Sequence, residues 1–326
     1  MKEEILKTLR ESEDYVSGQE LCNKFGVSRT AVWKAINGLK AAGYEIEAIQ
    51  NRGYKLVSAP DVMSAGEIKS MLNTQWAGQE VYYFDSIDST NTKAKELAET
   101  GHPSGTLVVA DQQIAGKGRR GRSWESPSGS GIFMTLMLKP EMNPNNASML
   151  TLVAALAVGR AIQEVTGVNA QIKWPNDIVL NGKKVCGILT EMSAQFDYIN
   201  HIVIGIGINV HNREFSEEIS HMASSLMLEC DGRTFHRAEI IAKTMEHFEH
   251  YYEIFMATED LSALVNEYNS MLVNLHKIVK VLDPKEPFEG KAMGMTPRGE
   301  LVVDTWESRK MVSSGEVSVR GIYGYV

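Results

Sequence analysis

The sequence predicts an α+β protein built in three parts, and three observations carry that reading. Its 326 residues exceed what one hydrophobic core organises, since single cores rarely grow past about 250 residues. The apolar pattern changes character twice along the chain: helical spacing first, then strands mixed with helices, then short strands alone. Hairpin turns at Asn181-Gly182 and 197–200 join neighbouring strands antiparallel, which argues against a doubly wound parallel sheet. The boundaries read as 1–60, 61–271 and 272–326.

In the first part, Ile5, Leu6 and Leu9 form the apolar face of a helix. Ser17 with Glu20 is a capping-box start for a second helix carrying Leu21 and Phe25. Gly26-Val27-Ser28 makes a tight turn, and Ser28 caps a third helix that buries Val32, Ile36 and Leu39 and stops at Gly43. Arg29, Thr30, Trp33, Lys34 and Asn37 fall on the opposite face of that helix. A helix lying in a DNA major groove needs this arrangement, with cations and amides outward near its N-terminal half. Residues 44–56, turning at Asn51-Arg52-Gly53, read as a β-hairpin wing. The prediction is a winged helix-turn-helix, with Ser28, Arg29, Thr30, Trp33, Lys34, Asn37 and Arg52 as candidate DNA contacts. The alternative is a docking module in which Trp33 packs into a domain interface.

Charge placement supports a nucleic-acid partner where total charge does not. The chain carries a formal net charge of −8, yet residues 24–55 hold six basic against two acidic side chains. Three well-separated cysteines (Cys22, Cys186, Cys230) argue for a reducing cytoplasm and against a disulfide scaffold or zinc site. The charged N-terminus has no signal-peptide core, and the apolar stretch 149–158 is stopped by Arg160, so no membrane span is expected.

Ser58-Ala59-Pro60-Asp61 breaks the pattern, and a new helix follows over 64–72. Strands are expected at 81–84, 107–110, 132–138, 185–189 and 202–208, and helices near 91–99, 147–166, 237–256 and 260–271. Four clusters in this region look chemical. Asp88-Ser89-Thr90-Asn91 follows a strand and opens a helix, where its hydroxyls and amide either cap the helix or fix a small polar ligand. Residues 113–124, QIAGKGRRGRSW, alternate glycines with Lys117, Arg119, Arg120 and Arg122. Such a loop is either merely flexible or closes its backbone amides and cations over an anion, and it fits no standard nucleotide-loop spacing. Lys173-Trp174-Pro175-Asn176-Asp177 contains a turn, but with Lys184 a short hairpin away it also gathers two cations and a carboxylate. That set suits phosphoryl or adenylyl chemistry, with Asp177 available to hold Mg²⁺. Along 202–209 the isoleucines face one side, and Val203, Gly205, Gly207 and Asn209 face the other. Two glycines there admit something flat or a closely packed helix, and Asn209 could read a base.

The last part reads as short strands at 277–283, 288–295, 300–305, 309–313 and 317–320. They are punctuated by Pro284, Pro297-Arg298-Gly299 and Ser314-Gly315, the pattern of a small SH3-like β-barrel.

Taken in order, the helix-turn-helix, DSTN, GKGRRGRSW, KWPND, GKKVCGI, GIGIN and the C-terminal GEVSVR resemble one family across nearly the whole chain. It is the bifunctional biotin–protein ligases that also repress the biotin operon, whose catalytic core is of the class II synthetase kind. The resemblance implies that biotin and ATP give biotinyl-5′-AMP, and that a lysine of a carboxylase biotin-carrier domain then takes the biotin. It implies catalytic roles for Lys184, Arg119, Lys173 and Asp177. Biotin contacts would come from Ser89, Thr90, Asn91, Gln113, Lys117, Gly118, Arg119, Lys184, Gly187, Gly205 and Gly207. Nucleotide contacts would come from Arg119, Arg120, Arg122, Trp124, Asn176 and Asn209, with Trp124 packed on the adenine. Operator DNA and a homodimer formed when biotinyl-AMP is bound are the implied partners. The chain departs from the family's usual GRGR loop by placing Lys117 at the first arginine, which keeps the charge and loses the bidentate fork. Two other functions compete: a ligand-sensing transcription factor without ligase activity, and a ligase whose first domain no longer reads DNA.

Overall fold

The computed structural model describes all residues except 284–285, 315–317 and 322–323. In the first sixty residues the sequence signals act locally. Helices α1 (Lys2–Glu11), α2 (Gly18–Phe25) and α3 (Arg29–Ala41) are followed by the antiparallel hairpin β1 (Glu45–Ile49) and β2 (Gly53–Ser58). Ser17 Oγ accepts from the Glu20 amide at 3.0 Å, and Ser28 Oγ from the Ala31 amide at 3.3 Å, so each serine satisfies an orphan donor of its helix. Gly26 ends α2 at φ 63°, a conformation that costs glycine nothing. Ile5, Leu6, Leu9, Leu21, Val32, Ile36 and Leu39 form the core.

Helix α4 (Ala65–Met71) carries this unit onto the rest of the protein. Its Glu67 is 1% exposed and accepts hydrogen bonds from Arg10 and from the Tyr44 hydroxyl. Beyond it stand β3 (Val81–Phe84), α5 (Thr90–Glu99), β4 (Thr106–Ala110), β5 (Gly131–Leu138) and α6 (Leu150–Thr166). Then come β6 (Gln171–Lys173), β7 (Asp177–Leu180), β8 (Lys183–Ala194), β9 (Ile199–Asn209), α7 (Leu226–Glu229), α8 (Arg237–Met256) and α9 (Val265–Met271). The seven strands form one sheet in the order β3-β4-β5-β9-β8-β7-β6, antiparallel except for the β3–β4 pair. The expected α+β class stands. Strand β7 is the partner that the hairpin turn at Asn181-Gly182 required, β6 was not expected, and β8 and β9 run longer than the apolar runs that signalled them. Their turn falls at 195–198 rather than 197–200, because Ile199 pairs with Ala194.

Helix α5 covers one face of the sheet, where Ala94, Leu97 and Ala98 meet Val108, Met137 and Val203. Helices α6 and α8 cover the other, against Ile202, Ile204, Ile206 and Ile208. Gly205 and Gly207 share the α5 face with Val203, as strand alternation requires. Residues 144–166 are long and apolar enough to cross a membrane, but this segment is the buried central helix of the large core.

The last part is a five-stranded antiparallel sheet: β10 (Ile278–Leu282), β11 (Phe288–Met295), β12 (Leu301–Asp304), β13 (Arg309–Val312) and β14 (Ser318–Gly321). Its order is β13-β12-β11-β10-β14, consistent with an SH3-like fold, and no ladder joins β13 to β14 among the described residues. The expectations at Pro284, Gly315 and Val317 lie outside the described residues. Trp174, 1% exposed, donates from Nε1 to the Gly299 carbonyl at 3.1 Å and pins this sheet to the larger one.

Candidate active site

Four sequence clusters, scattered over 120 residues, meet on the α5 face of β8 and β9 and line one cleft of roughly 470 Å³. The first turn of α5 supplies Thr90 and Asn91, with Ser89 as the preceding cap residue. Gln113 is brought beside them by a short parallel bridge between Ile87 and Gln113. Gln113 Oε1 accepts from the Thr90 amide at 2.9 Å, while its Nε2 donates to Ser126 Oγ at 3.0 Å. Thr135 of β5 donates to Asn91 Oδ1 at 2.6 Å and lies 2.8 Å from the Thr90 hydroxyl. This end of the cleft is therefore neutral, polar and internally wired.

The glycine face explains itself in the same region. A Cβ at Gly205 would fall 2.9 Å from Asn91 Cγ, so the strand must be bare for the amide to sit there. Gly187 and Gly207 are directly paired across β8 and β9, and the Trp124 indole lies over both. A Cβ would come within 2.9 Å of that ring at 187 and 2.6 Å at 207. The room that the sequence reading reserved for ligand at 205 and 207 is taken by these two side chains, which themselves line the cleft.

The opposite end is cationic. Arg119 donates to Asn176 Oδ1 at 2.9 Å and to the Ser314 carbonyl at 2.9 Å, bridging the KWPND turn and the C-terminal sheet. Burial holds its guanidinium below the usual arginine range. Lys184 Nζ stands 2.6 Å from Asp177 Oδ1, and Lys173 Nζ 3.8 Å from Oδ2. Burial pushes the Lys173 ammonium down to about 8. Burial opposes charge on Asp177 too, but the two lysines outweigh it and hold its carboxyl below the ordinary value. The Tyr325 hydroxyl donates to Asp177 Oδ2, and Lys173 Nζ lies 4.2 Å from the Tyr325 ring.

Of the residues expected at the site, Lys117 and Gly118 also line the cleft, whereas Lys173 and Asp177 lie just beneath its wall. Arg120 and Arg122 do not line it; both are exposed on the loop, where Arg120 adopts a left-handed φ of 59°. Asn209, expected near the nucleotide, does not line the cleft; it is buried at the end of β9, where one hydrogen of its Nδ2 goes to the Ser224 carbonyl at 3.0 Å. Asp177, the expected magnesium ligand, turns its oxygens to two ammonium groups and a phenol, neighbours that do not suit a bound cation. Sequence reasoning missed Thr135, Tyr325 and Glu191. A lone threonine in the apolar run GIFMTLML was a usable signal for the first; the other two had none.

On the first domain, Trp33 is 57% exposed and Arg29, Thr30 and Lys34 are exposed beside it, so among the described residues Trp33 is not buried between domains of this chain. Asn37 is half-buried on the same helix, and Ser28 is engaged as the cap. Arg29 donates to Gln19 Oε1 at 2.9 Å, and Arg52 stacks over Tyr15 at 4.5 Å on the wing. With the wing, Arg29 and Arg52 line an open concavity.

Comparison with known proteins finds the same three parts. The biotin/lipoate A/B protein ligase family matches residues 83–209, an HTH domain matches 2–55, and a biotin protein ligase C-terminal domain matches 275–320. The sequence is 39% identical to the bifunctional ligase/repressor BirA of Bacillus subtilis over 94% of each chain. It is 28% identical to that of Escherichia coli over the same shares. The structure of biotin protein ligase from Aquifex aeolicus in complex with biotin and ATP aligns with a TM-score of 0.66 at 32% identity, covering 74% of this chain and 99% of that one.

Proposed function

We infer the function from the family to which this chain belongs, the bifunctional biotin–protein ligase/repressors. The protein is an ATP-dependent ligase that attaches biotin to a biotin-carrier protein, and a DNA-binding repressor. In the first step a biotin carboxylate oxygen attacks the α-phosphorus of ATP, and pyrophosphate leaves. In the second, the ε-amine of an acceptor lysine attacks the acyl carbon of biotinyl-5′-AMP; AMP leaves and the amine's proton passes to solvent.

The observation that carries this reading is the polarity of the cleft. One end offers neutral groups (Thr90, Asn91, Gln113), which suit a ureido ring; the other offers Lys184 and Arg119, which suit a carboxylate meeting a phosphate. Two anions must be brought together before they react, and fixed cations offset that repulsion without reorganising. We assign this role to Lys184, held in place by Asp177, with Arg119 on the phosphate and Lys173 buried behind them. Trp124 packs on the adenine, and closure of the basic loop keeps water from the mixed anhydride. Arg120 and Arg122, exposed on the same loop, add long-range attraction for phosphate. The residues around Asp177 do not fit a bound magnesium ion, and no step is derived through one.

Operator binding falls to the exposed face of α3 and to Arg52. We further propose domain boundaries at 60/61 and 271/272, a cytoplasmic location, and a homodimer formed once biotinyl-AMP is bound. A two-fold pair of readers then demands a two-part operator. Biotin-dependent exchange of pyrophosphate into ATP tests the ligase: it is expected in the full chain, and its absence overturns the reading. Gel shift on an operator fragment tests the repressor, with binding expected to strengthen when biotin and ATP are both added.

A further inference from the structure

Glu191 belongs to none of the motifs that build the site, and it does not line the cleft. It projects from β8, one-third exposed, where its Oε2 accepts from Asn91 Nδ2 at 2.7 Å and its Oε1 from Lys95 Nζ at 2.7 Å. Burial raises its carboxyl, but the hydrogen bonds from Lys95 and Asn91 outweigh it and keep the group ionised below the ordinary glutamate value. An ionised carboxylate only accepts. The Asn91 group facing it is therefore the NH₂, and the Asn91 oxygen turns to the Thr135 hydroxyl, which donates to it at 2.6 Å. The amide cannot flip without placing two oxygens against each other. One Asn91 hydrogen is left with no protein acceptor among the described residues, on a side chain that lines the cleft.

We propose that Glu191 is a positioning residue for biotin: it fixes the Asn91 amide so that a hydrogen, not an oxygen, is offered to the ligand. The consequence is selection for a ligand carrying a carbonyl oxygen at that point, as the ureido ring does, and rejection of one that presents hydrogens there. Lys95, bound to the other carboxylate oxygen, keeps Glu191 from turning away. This rests on the biotin reading of the cleft given above.

The test uses the full chain, with Glu191→Ala and Glu191→Gln compared in steady-state exchange, and with biotin and 2-iminobiotin compared by calorimetry. The guanidinium of 2-iminobiotin offers hydrogens where biotin offers its oxygen. In Glu191→Ala the KM for biotin should rise about ten-fold, while kcat and the KM for ATP stay within about two-fold. Glu191→Gln, whose carbonyl still accepts, should recover most of that loss. The preference for biotin over 2-iminobiotin should narrow by about the same ten-fold in Glu191→Ala, because the freed amide can now turn its oxygen to the ligand. An unmoved biotin KM, an unmoved preference, or a fall in kcat with both KM values shifted together overturns the proposal. Absence of biotin-dependent exchange in the unaltered protein overturns the functional reading as well, whereas exchange there with an unmoved variant overturns the role of Glu191 alone.

Discussion

At the scale of single residues, the charged end of the cleft turns on one ion pair. Lys184 stands 2.6 Å from a carboxylate that is almost wholly buried, and Asp177 also meets Lys173 at 3.8 Å and the Tyr325 hydroxyl. Lys184→Met removes the cation we assign to the reacting anions and strips Asp177 of its nearest countercharge. Pyrophosphate exchange should fall by about 10³-fold, and the melting temperature should drop with it. An exchange rate within ten-fold of the unaltered protein, at about pH 7.5, would contradict the assignment of Lys184. Lys117 poses a subtler question. It is exposed on the loop, lines the cleft and stands where the family's usual loop has arginine. A guanidinium binds phosphate with two parallel hydrogen bonds where an ammonium acts as a point charge. Lys117→Arg is therefore expected to slow release of biotinyl-AMP in a stopped-flow chase, and an equal or faster release would count against that role.

Among the elements, strand β9 makes the sharpest division of labour. Gly205 and Gly207 lie on one face two residues apart, yet they accommodate different neighbours: the Asn91 amide and the Trp124 indole. Gly205→Ala should raise the KM for biotin, because the new methyl displaces Asn91, and leave that for ATP nearly alone. Gly207→Ala should do the reverse by pushing Trp124 outward; about ten-fold in the affected constant is expected in each. Identical effects of the two alanines would show that the strand, not its neighbours, is being disturbed. These elements also mark how far the sequence could be read. The caps at Ser17 and Ser28 were legible because a serine and the amide three residues on meet within one turn of helix. The glycine alternation in β9 was legible as a need for space, but not what fills it, since Asn91 and Trp124 arrive from 80 or more residues away. Strand β6 was hidden because it is three residues long and runs into Pro175, which by itself reads as a turn. For Asn209 the position on the strand was legible but not its partner, since the Ser224 carbonyl that takes one of its amide hydrogens comes from a loop beyond β9.

For the whole molecule, the issue is how a DNA reader and an adenylating site share one chain. The reader's outward face is open: Trp33 is 57% exposed, and Arg29, Thr30 and Lys34 are exposed beside it. Trp33→Ala and Arg29→Ala should each weaken operator binding about ten-fold and leave pyrophosphate exchange untouched, a separation that a shared fold defect would not produce. Its attachment, by contrast, is buried. Glu67 of α4 takes Arg10 from α1 and Tyr44 from the start of the wing, and Lys7 Nζ donates to the Leu72 carbonyl at 2.7 Å just beyond. Helix α4 in turn packs on α8 and β3 of the larger domain, so the Glu67 carboxylate stands at the junction through which the reader is held. Removing one partner of a buried ion pair leaves the other uncompensated and costs about 3 kcal/mol. In Glu67→Ala, Arg10 keeps its 3.1 Å bond to Ser70 Oγ and its partial contact with water, but Tyr44 loses its acceptor and the first sixty residues are held less firmly on α4. A calorimetric scan should then resolve a separate early transition for the reader. Pyrophosphate exchange should persist, since Glu67 lies outside the cleft, while operator affinity in the presence of biotin and ATP should fall about ten-fold as the proposed dimer's two readers lose their fixed spacing. A single unchanged transition with full operator affinity would mean that apolar packing of α1 on α4, rather than the carboxylate, sets the reader's orientation.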